Sequence, residues 1–246
     1  CIFMSLSLIK TWIFDLDNTL YPPEENIFNQ IDQKMTSFIA DNLKISNEEA
    51  FNIQKQNFID HGTTLAGFMN SGNDKINPDK FLEFVHDINL SSLKEDNDLR
   101  RILLLLPGKK YIFTNGTKKH AENVLKKLNL ENIFHSIFGI KEANYLPKPN
   151  IETYNLFLKT HEVDPKTSIM FEDMGRNLIP AKELGMKTVL LERKFPNQSK
   201  RGQKEKYKDL WDDSYDADYI IDDIVKFLNN QYIEHKIKEI IMDKKI

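Results

Sequence analysis

The first apolar run of the chain ends in two aspartates two positions apart, in the stretch IKTWIFDLDNTLYPP at residues 9–23. Side chains at i and i+2 of an extended segment point the same way, so Asp15 and Asp17 crowd two carboxylates into one space. That costs free energy unless a cation or a shared proton compensates. A lone D-x-D serves equally as turn chemistry, since Asp and Asn favour turns. Three later stretches raise the same kind of question. In YIFTNGT, Thr114 leaves an apolar run, and Asn115-Gly116 makes a turn whose N–H groups can face an anion, although such turns are common. In YLPKPN, Lys148 stands between two prolines that hold the backbone and aim the amine, where a loop lysine is otherwise merely solvated. In SIMFEDMGRN, Glu172 and Asp173 follow an apolar run. They suit a hard divalent ion such as Mg2+, or alternatively the N-cap of a helix starting at Asn177.

These residues need elements to position them. TWIF at 11–14 has the β-branched and aromatic content of a buried strand, and Tyr21-Pro22-Pro23 stops it. From Glu24 to Leu106 the period becomes helical, with Ile27, Ile31, Met35 and Phe38/Ile39 on one face. Ser46 and Glu49 form a capping box for a second helix that Gly62 closes. Pro78 opens a helix carrying Phe81, Leu82, Val85 and Ile88, and LRRILLLL at 99–106 predicts another buried one, ended by Pro107-Gly108. After Gly108 the pattern alternates. Strands are expected at 111–114, 136–140, 168–171, 188–191 and 218–221, with helices at 118–129, 150–160 and 177–184 and a last helix capped by Asp222. Such alternation predicts an α/β fold, a Rossmann-like parallel sheet with helices on both faces. The helical block interrupts it after the first strand and reads as an inserted all-α cap. The domains are then 10–22 with 107–229 as a discontinuous core, 23–106 as the cap and 230–246 as a C-terminal helical extension.

Composition excludes several classes. The chain has 246 residues, 40% apolar and 29% charged, with a net charge of -3, which gives no electrostatic footprint for a nucleic-acid polymer. Cys1 is the only cysteine, so no disulfide framework or thiolate cluster is available. No apolar run approaches the roughly 18 residues of a membrane span. CIFMSLSLIKTWIF lacks the basic start and small-residue cleavage site of a signal peptide and reads as a frayed end feeding a strand, with Met4 a candidate natural start. The basic stretch at 193–209 reads as a solvated loop. Ile233, Ile237, Ile240 and Ile241 share a helical face that packs on the body or on a second copy, the body being favoured. The expectation is a monomer or homodimer in the cytoplasm.

In parallel α/β sheets ligands lie at the carboxyl ends of strands. The order Asp-x-Asp-x-Thr, Thr-Asn-Gly, Lys, Glu-Asp, each after its own strand, resembles the haloacid dehalogenase-like (HAD) hydrolases with a small helical cap, over Trp12 to Leu191 and less clearly to Phe227. FDLDNTLYP, FTNGTKKHAENVLKKLNLENIF, PKPNIETY and FEDMGRNLIPAKELGMKTVLL look like the pyrimidine 5′-nucleotidase branch. Met174, where other members carry Ser or Asp, is a departure, and His120, though part of the FTNG-x-x-x-HA stretch, is assigned no catalytic role.

The resemblance implies Asp15 as nucleophile and Asp17 as general acid and base. It implies Mg2+ held by Asp15, the backbone carbonyl of Asp17, Asp173 and, through water, Glu172. Lys148, Thr114 and the N–H groups of Asn115 and Gly116 would hold phosphoryl oxygens. Thr19 would position Asp17, and Asn177 would orient the lysine or a metal-bound water. Dehalogenase members lack the second aspartate, so Asp17 favours hydrolysis of a small-molecule phosphate ester. The implied substrate is UMP or CMP, the alternatives being a sugar phosphate, phosphoglycolate or a phosphomutase reaction. Tyr21, Phe28, Phe58 and Phe68 are candidates to meet a base or a sugar, although their helical spacing favours cap core for each. A receiver-like phospho-Asp switch would carry an adjacent acidic pair after its first strand and no cap. A HAD-like binding scaffold would have lost Asp15, Asp17, Lys148 or Asp173, and all four are present.

Overall fold

The computed structural model describes residues 8–192 and 215–243. Residues 1–7 and the stretch 193–209, expected to be a frayed end and a solvated loop, lie outside the described residues. Six parallel strands form one sheet in the order β3-β2-β1-β4-β5-β6. They are β1 Thr11–Phe14, β2 Lys109–Phe113, β3 Ser136–Phe138, β4 Ser168–Glu172, β5 Lys187–Leu191 and β6 Tyr219–Ile221. All four residues of β1 are buried, as a central strand covered on both faces requires. Alternation divides them. Trp12 and Phe14 join Phe171, Ile112 and Leu103 in one cluster, while Ile13 joins Phe113, Phe157 and Met170 in a second on the opposite face. Phe14 and Phe171 stack at 4.7 Å across the β1–β4 pair, and Phe113 stacks on Phe157 at 5.0 Å.

Five helices lie between β1 and β2: α1 Ile27–Leu43, α2 Asn47–His61, α3 Thr64–Asn70, α4 Pro78–Val85 and α5 Asn97–Leu105. The Ser46/Glu49 capping box and the Gly62 C-cap at φ +84° bound α2 as expected. The short α3, which starts two residues after Gly62, was not legible in the periodicity. Thr63 caps it by accepting from the Ala66 N–H. Ile31, Phe38, Ile39, Phe81 and Val85 give this block a hydrophobic cluster of its own, joined by Ile140 from beyond β3. Two expectations fail locally. Ile88 lies beyond the end of α4, and α5 buries only the stripe Leu99, Ile102 and Leu103, leaving Leu104 60% exposed. An all-leucine run looks fully buried, but a helix packed on one side buries one stripe.

The return to the sheet is set by a turn. Gly108 has φ +80°, and a Cβ there would stand 2.3 Å from the Lys10 carbonyl oxygen, so only glycine lets Lys109 donate to that oxygen at 2.9 Å and register β2 on β1. The remaining helices are α6 Lys118–Lys127, α7 Ile151–His161, α8 Gly175–Glu183 and α9 Ile224–Asp243. Helix α8 starts at Gly175 rather than Asn177, with Met174 at its N-cap making no side-chain bond, so Glu172 and Asp173 are not its cap. Asp223, not Asp222, caps α9 by accepting from the Lys226 N–H at 2.9 Å. Helix α9 is continuous across residues 229 and 230 and packs along α5. Ile233 is exposed there, and the side chains of Ile237, Ile240 and Ile241 lie outside the described residues. Among the described residues no helix is long and apolar enough to cross a membrane.

Phe171 is fully buried between Trp12, Phe14 and Phe227 at the centre of the sheet. Phe171→Ala is expected to cost about 3–5 kcal/mol, read as the loss of unfolding free energy in a urea titration.

Candidate active site

Three neighbouring strands deliver their ends to one edge. Asp15 follows β1, its N–H still donating to Phe171 O at 2.9 Å; Thr114 follows β2; Glu172 closes β4 and Asp173 comes next. Lys148 arrives from the loop before α7, and a side chain fixes that loop. Asn115 Oδ1 accepts from the Lys148 N–H at 2.8 Å, and Asn115 Nδ2 donates to Lys148 O at 3.1 Å. The lysine is 1% exposed and its Nζ donates to Asp15 Oδ1 at 2.8 Å, Glu172 Oε2 at 2.7 Å and Phe113 O at 2.8 Å, which uses all three protons. Burial pulls the ammonium pKa down, but the Asp15 and Glu172 carboxylates outweigh it and hold the charge firmly in place.

The acids are unevenly compensated. Burial, then the Glu172 charge, pushes Asp15 up to about 7 against the pull of Lys148. Burial, Glu172 and Asp15 push Asp173 well above the carboxylate range. One carboxylate oxygen from each of Asp15, Glu172 and Asp173 lies within 4.8 Å of the others. Three buried carboxylates face one ammonium, and Asn177 Oδ1, buried on the cavity wall with no hydrogen-bond partner among the described residues, adds another hard oxygen. This donor set fits a divalent ion such as Mg2+.

Asp17 stands apart from that cluster. Its Oδ1 accepts from Tyr21 Oη at 2.5 Å and pairs with His120 Nε2 at 2.8 Å. Burial raises its pKa, yet His120 and Tyr21 together leave it below the ordinary 3.8. Burial and the neighbouring Asp17 keep the Tyr21 phenol protonated by raising it well above 10.0, so it donates. Thr19, expected to position Asp17, instead donates to Asp15 Oδ2 at 3.1 Å. Thr19 follows Asp15 by four positions, and the turn in which the Thr19 and Leu20 N–H groups donate to Leu16 O brings that hydroxyl back to Asp15. The Gly116 N–H, expected to face an anion, donates to Thr114 Oγ1 at 2.9 Å in this structure. Space at Gly116 is tight, since a Cβ there would lie 3.2 Å from the His120 ring and 3.3 Å from Thr114 Oγ1, with Asp17 Oδ2 in ordinary contact at 3.7 Å.

Sequence reasoning missed the partners of Asp17. His120 sits on α6 with its ring stacked on His86 at 4.5 Å and 19°. His86 follows α4, and burial, then His120, drives its pKa down to about 3, so it is a neutral ring. The helical block thus touches the residue that holds Asp17. A second tie lies across the site: Arg176 on α8 stacks over Phe58 at 4.2 Å and donates to Gly62 O at 3.2 Å. The local signal for both was weak, since a histidine and an arginine on helices are ordinary surface residues until the fold places them.

The strand ends open into a cavity of about 260 Å³ that extends between α1, α2 and α4. Its floor holds Asp15, Asp17, Thr114, Lys148, Glu172 and Asp173. Phe28 and Phe58, expected to be core, line its walls, and Tyr21 holds Asp17, whereas Phe68 is core as expected.

The sequence profile of the family described as haloacid dehalogenase-like hydrolase matches residues 12–191. A glyceraldehyde 3-phosphate phosphatase of Methanocaldococcus jannaschii is 26% identical over 90% of this chain and 96% of its own length. The phosphate metabolism protein 8 of Saccharomyces cerevisiae is 26% identical over 52% of this chain and 42% of its own. Among solved structures, a HAD phosphatase from Thermococcus onnurineus superposes with a TM-score of 0.57 at 21% identity, covering 90% of this chain and 97% of that one. The L-2-haloacid dehalogenase of Xanthobacter autotrophicus does so at 0.56 and 13%, with the same coverage.

Because the Asp17 pKa is depressed in the fold, its contribution to stability is complete above 3.8 and is lost as pH falls through the lower folded value. Tyr21→Phe removes a donor to that charge, so the variant should be about 2 kcal/mol less stable near neutral pH. That gap should close as denaturation is repeated below pH 3.8.

Proposed function

The chain belongs to the haloacid dehalogenase-like hydrolase family, and from that premise we propose a phosphatase that works through an aspartyl-phosphate on Asp15. The observation that carries this is the pairing of Asp15 with Lys148 beside a second aspartate held separately by Tyr21 and His120. Asp15 attacks phosphorus, forming an O–P bond as the ester P–O bond breaks, and Asp17 gives its proton to the departing oxygen. Tyr21 and His120 both reach Oδ1 of Asp17, which leaves Oδ2, on the Gly116 side, as the oxygen that exchanges the proton. Because the free fold holds Asp17 ionised, that proton is taken up when the phosphate ester binds. Water then attacks the phosphoryl group, Asp17 takes its proton, and Asp15 leaves regenerated.

Lys148 keeps Asp15 aimed and pulls it toward the ionised form against burial and Glu172. On binding, the bonds of Lys148 to Glu172 and of the Gly116 N–H to Thr114 would be exchanged for phosphoryl oxygens, with Thr114 and the Asn115 N–H beside them. Asp15, Asp173 and the Asp17 carbonyl would hold Mg2+, with Glu172 one water away and Asn177 Oδ1 available to a bound water. When bound, the ion lets carboxylate and phosphate dianion approach without repelling. Residues 23–106 act as a cap that excludes water over a core formed by 10–22 and 107–229, in a cytoplasmic monomer or homodimer.

For the leaving group, the aromatic walls supplied by Phe28, Phe51 and Phe58 favour a pyrimidine nucleoside 5′-monophosphate. A triose phosphate is the second reading, favoured by the likeness to the phosphatase of M. jannaschii along 96% of that protein. Phosphate release from UMP, CMP, AMP, glyceraldehyde 3-phosphate, glucose phosphates and phosphoglycolate, with Mg2+ and with chelator, separates the two. The expected result is release led by UMP or CMP and lost with chelator; triose-led release would replace the substrate and keep the mechanism. Asp15→Asn should bring turnover to background while circular dichroism stays unchanged, and wild-type turnover in that variant would remove Asp15 from the chemistry.

A further inference from the structure

The cavity wall contributed by α1 and α2 is apolar except at one place. Asp32 of α1 and Gln54 and Lys55 of α2 line it together. Gln54 is 1% exposed, and its Nε2 donates to Asp32 Oδ1 at 2.7 Å and to the Asp32 carbonyl at 3.2 Å. Its Oε1 accepts from Thr36 Oγ1 at 2.6 Å, and Thr64 Oγ1 donates to the Gln54 carbonyl at 3.1 Å. Lys55 Nζ also donates to Asp32 Oδ1 and lies over the Phe51 ring at 5.1 Å. The cluster is therefore cross-braced, and both donors to the Asp32 carboxylate reach Oδ1. Asp32 Oδ2 takes no hydrogen bond among the described residues, and the side chain, 14% exposed, lines the largely apolar cavity. With Oδ1 taken by Gln54 and Lys55, Oδ2 is the oxygen left to accept from a group that enters the cavity and displaces its water.

Its position defines what could meet it. The C-terminal end of α2 abuts the Lys148 loop, where a Cβ on Gly62 would stand 3.0 Å from the Lys148 carbonyl. Lys55 lies roughly 10 Å back along α2 from Gly62, at 1.5 Å per residue. A group bonded to phosphorus at the strand ends and reaching this cluster must be long, apolar or planar in the middle and polar at its far edge. A carboxylate acceptor beside an ammonium donor asks for an edge with a donor next to an acceptor, which a pyrimidine ring presents and a three-carbon sugar does not extend far enough to offer.

We propose that Asp32, braced by Gln54 and paired with Lys55, is a specificity-determining residue that reads the hydrogen-bonding edge of a pyrimidine base in the leaving group. This rests on the phosphatase reading and deepens it. Loss of the acceptor should matter far more for a substrate that carries the edge than for one that lacks it, because a site built around a hydrogen bond discriminates strongly against its absence. The readout is the ratio of kcat/KM for UMP or CMP to kcat/KM for phenyl phosphate, an aromatic ester with no polar edge.

Asp32→Asn preserves shape and should lower that ratio about tenfold or more, with most of the change in KM for the nucleotide. Lys55→Met should lower it in the same direction. An unchanged ratio, whether because both substrates lose equally or because neither does, would overturn the assignment. So would an equal fall for ribose 5-phosphate, which would place Asp32 on the sugar, or wild-type hydrolysis of UMP and CMP no better than of phenyl phosphate. Hydrolysis of none of these esters, phenyl phosphate included, would overturn the phosphatase reading itself, which is a different outcome from any of the others.

Discussion

Three carboxylates and one ammonium buried within a few ångströms of each other set the terms for the rest of this structure. Lys148 can neutralise only part of what Asp15, Glu172 and Asp173 bring, and it does so with every proton committed. Burying such a group of charges is unfavourable unless its geometry is held from outside. The sheet holds it. Parallel strands β1, β2 and β4 end at one edge because their registers are locked, by the Gly108 turn at one end of β1 and by the stacked rings of Phe14 and Phe171 at the other. The Lys148 loop is not part of any strand, and the amide of Asn115 replaces the missing ladder by bonding both its N–H and its carbonyl.

The same reasoning explains what could be read from the chain and what could not. The sheet was legible because each strand is short, apolar and followed by turn chemistry, and the acids, ambiguous one by one with turns and caps, were legible from their order after successive strands. Lys148 alone read as an ordinary loop lysine, and it became legible only as one of four stations in order, each after its own strand. Less visible were contacts that depend on angles around a helix or a turn. Thr19 and Tyr21 lie two residues apart after the first strand, and their assignments depend on how the chain winds at Leu16, which places Thr19 on Asp15 and Tyr21 on Asp17. His120 belonged to a recognised stretch, but only the placement of α6 brings its ring to Asp17. Helix α3 has seven residues, too few for a period to emerge. The leucines of α5 misled because hydrophobicity alone does not say which side of a helix meets the body.

The cavity belongs to two parts of the chain that are distant in sequence. Its floor is written in four short stretches and its walls in the helical block, where apolar residues serve both the block's own cluster and the cavity lining. Phe28 shows the overlap: it packs against the block's core and also lines the cavity. Periodicity identifies such a residue as buried without distinguishing a wall from a core. Polar residues inside an apolar wall are the better signal, and the Asp32, Gln54 and Lys55 group becomes visible as one only when α1 and α2 are laid side by side.

The two aromatic ties between the helical block and the sheet land on opposite sides of the chemistry. The His86–His120 stack reaches the residue that holds Asp17, and the Arg176–Phe58 stack reaches the helix that follows Asp173. Both ties join the same block to the sheet, so a displacement of the block that broke them would be felt at Asp17 and at the acidic cluster together.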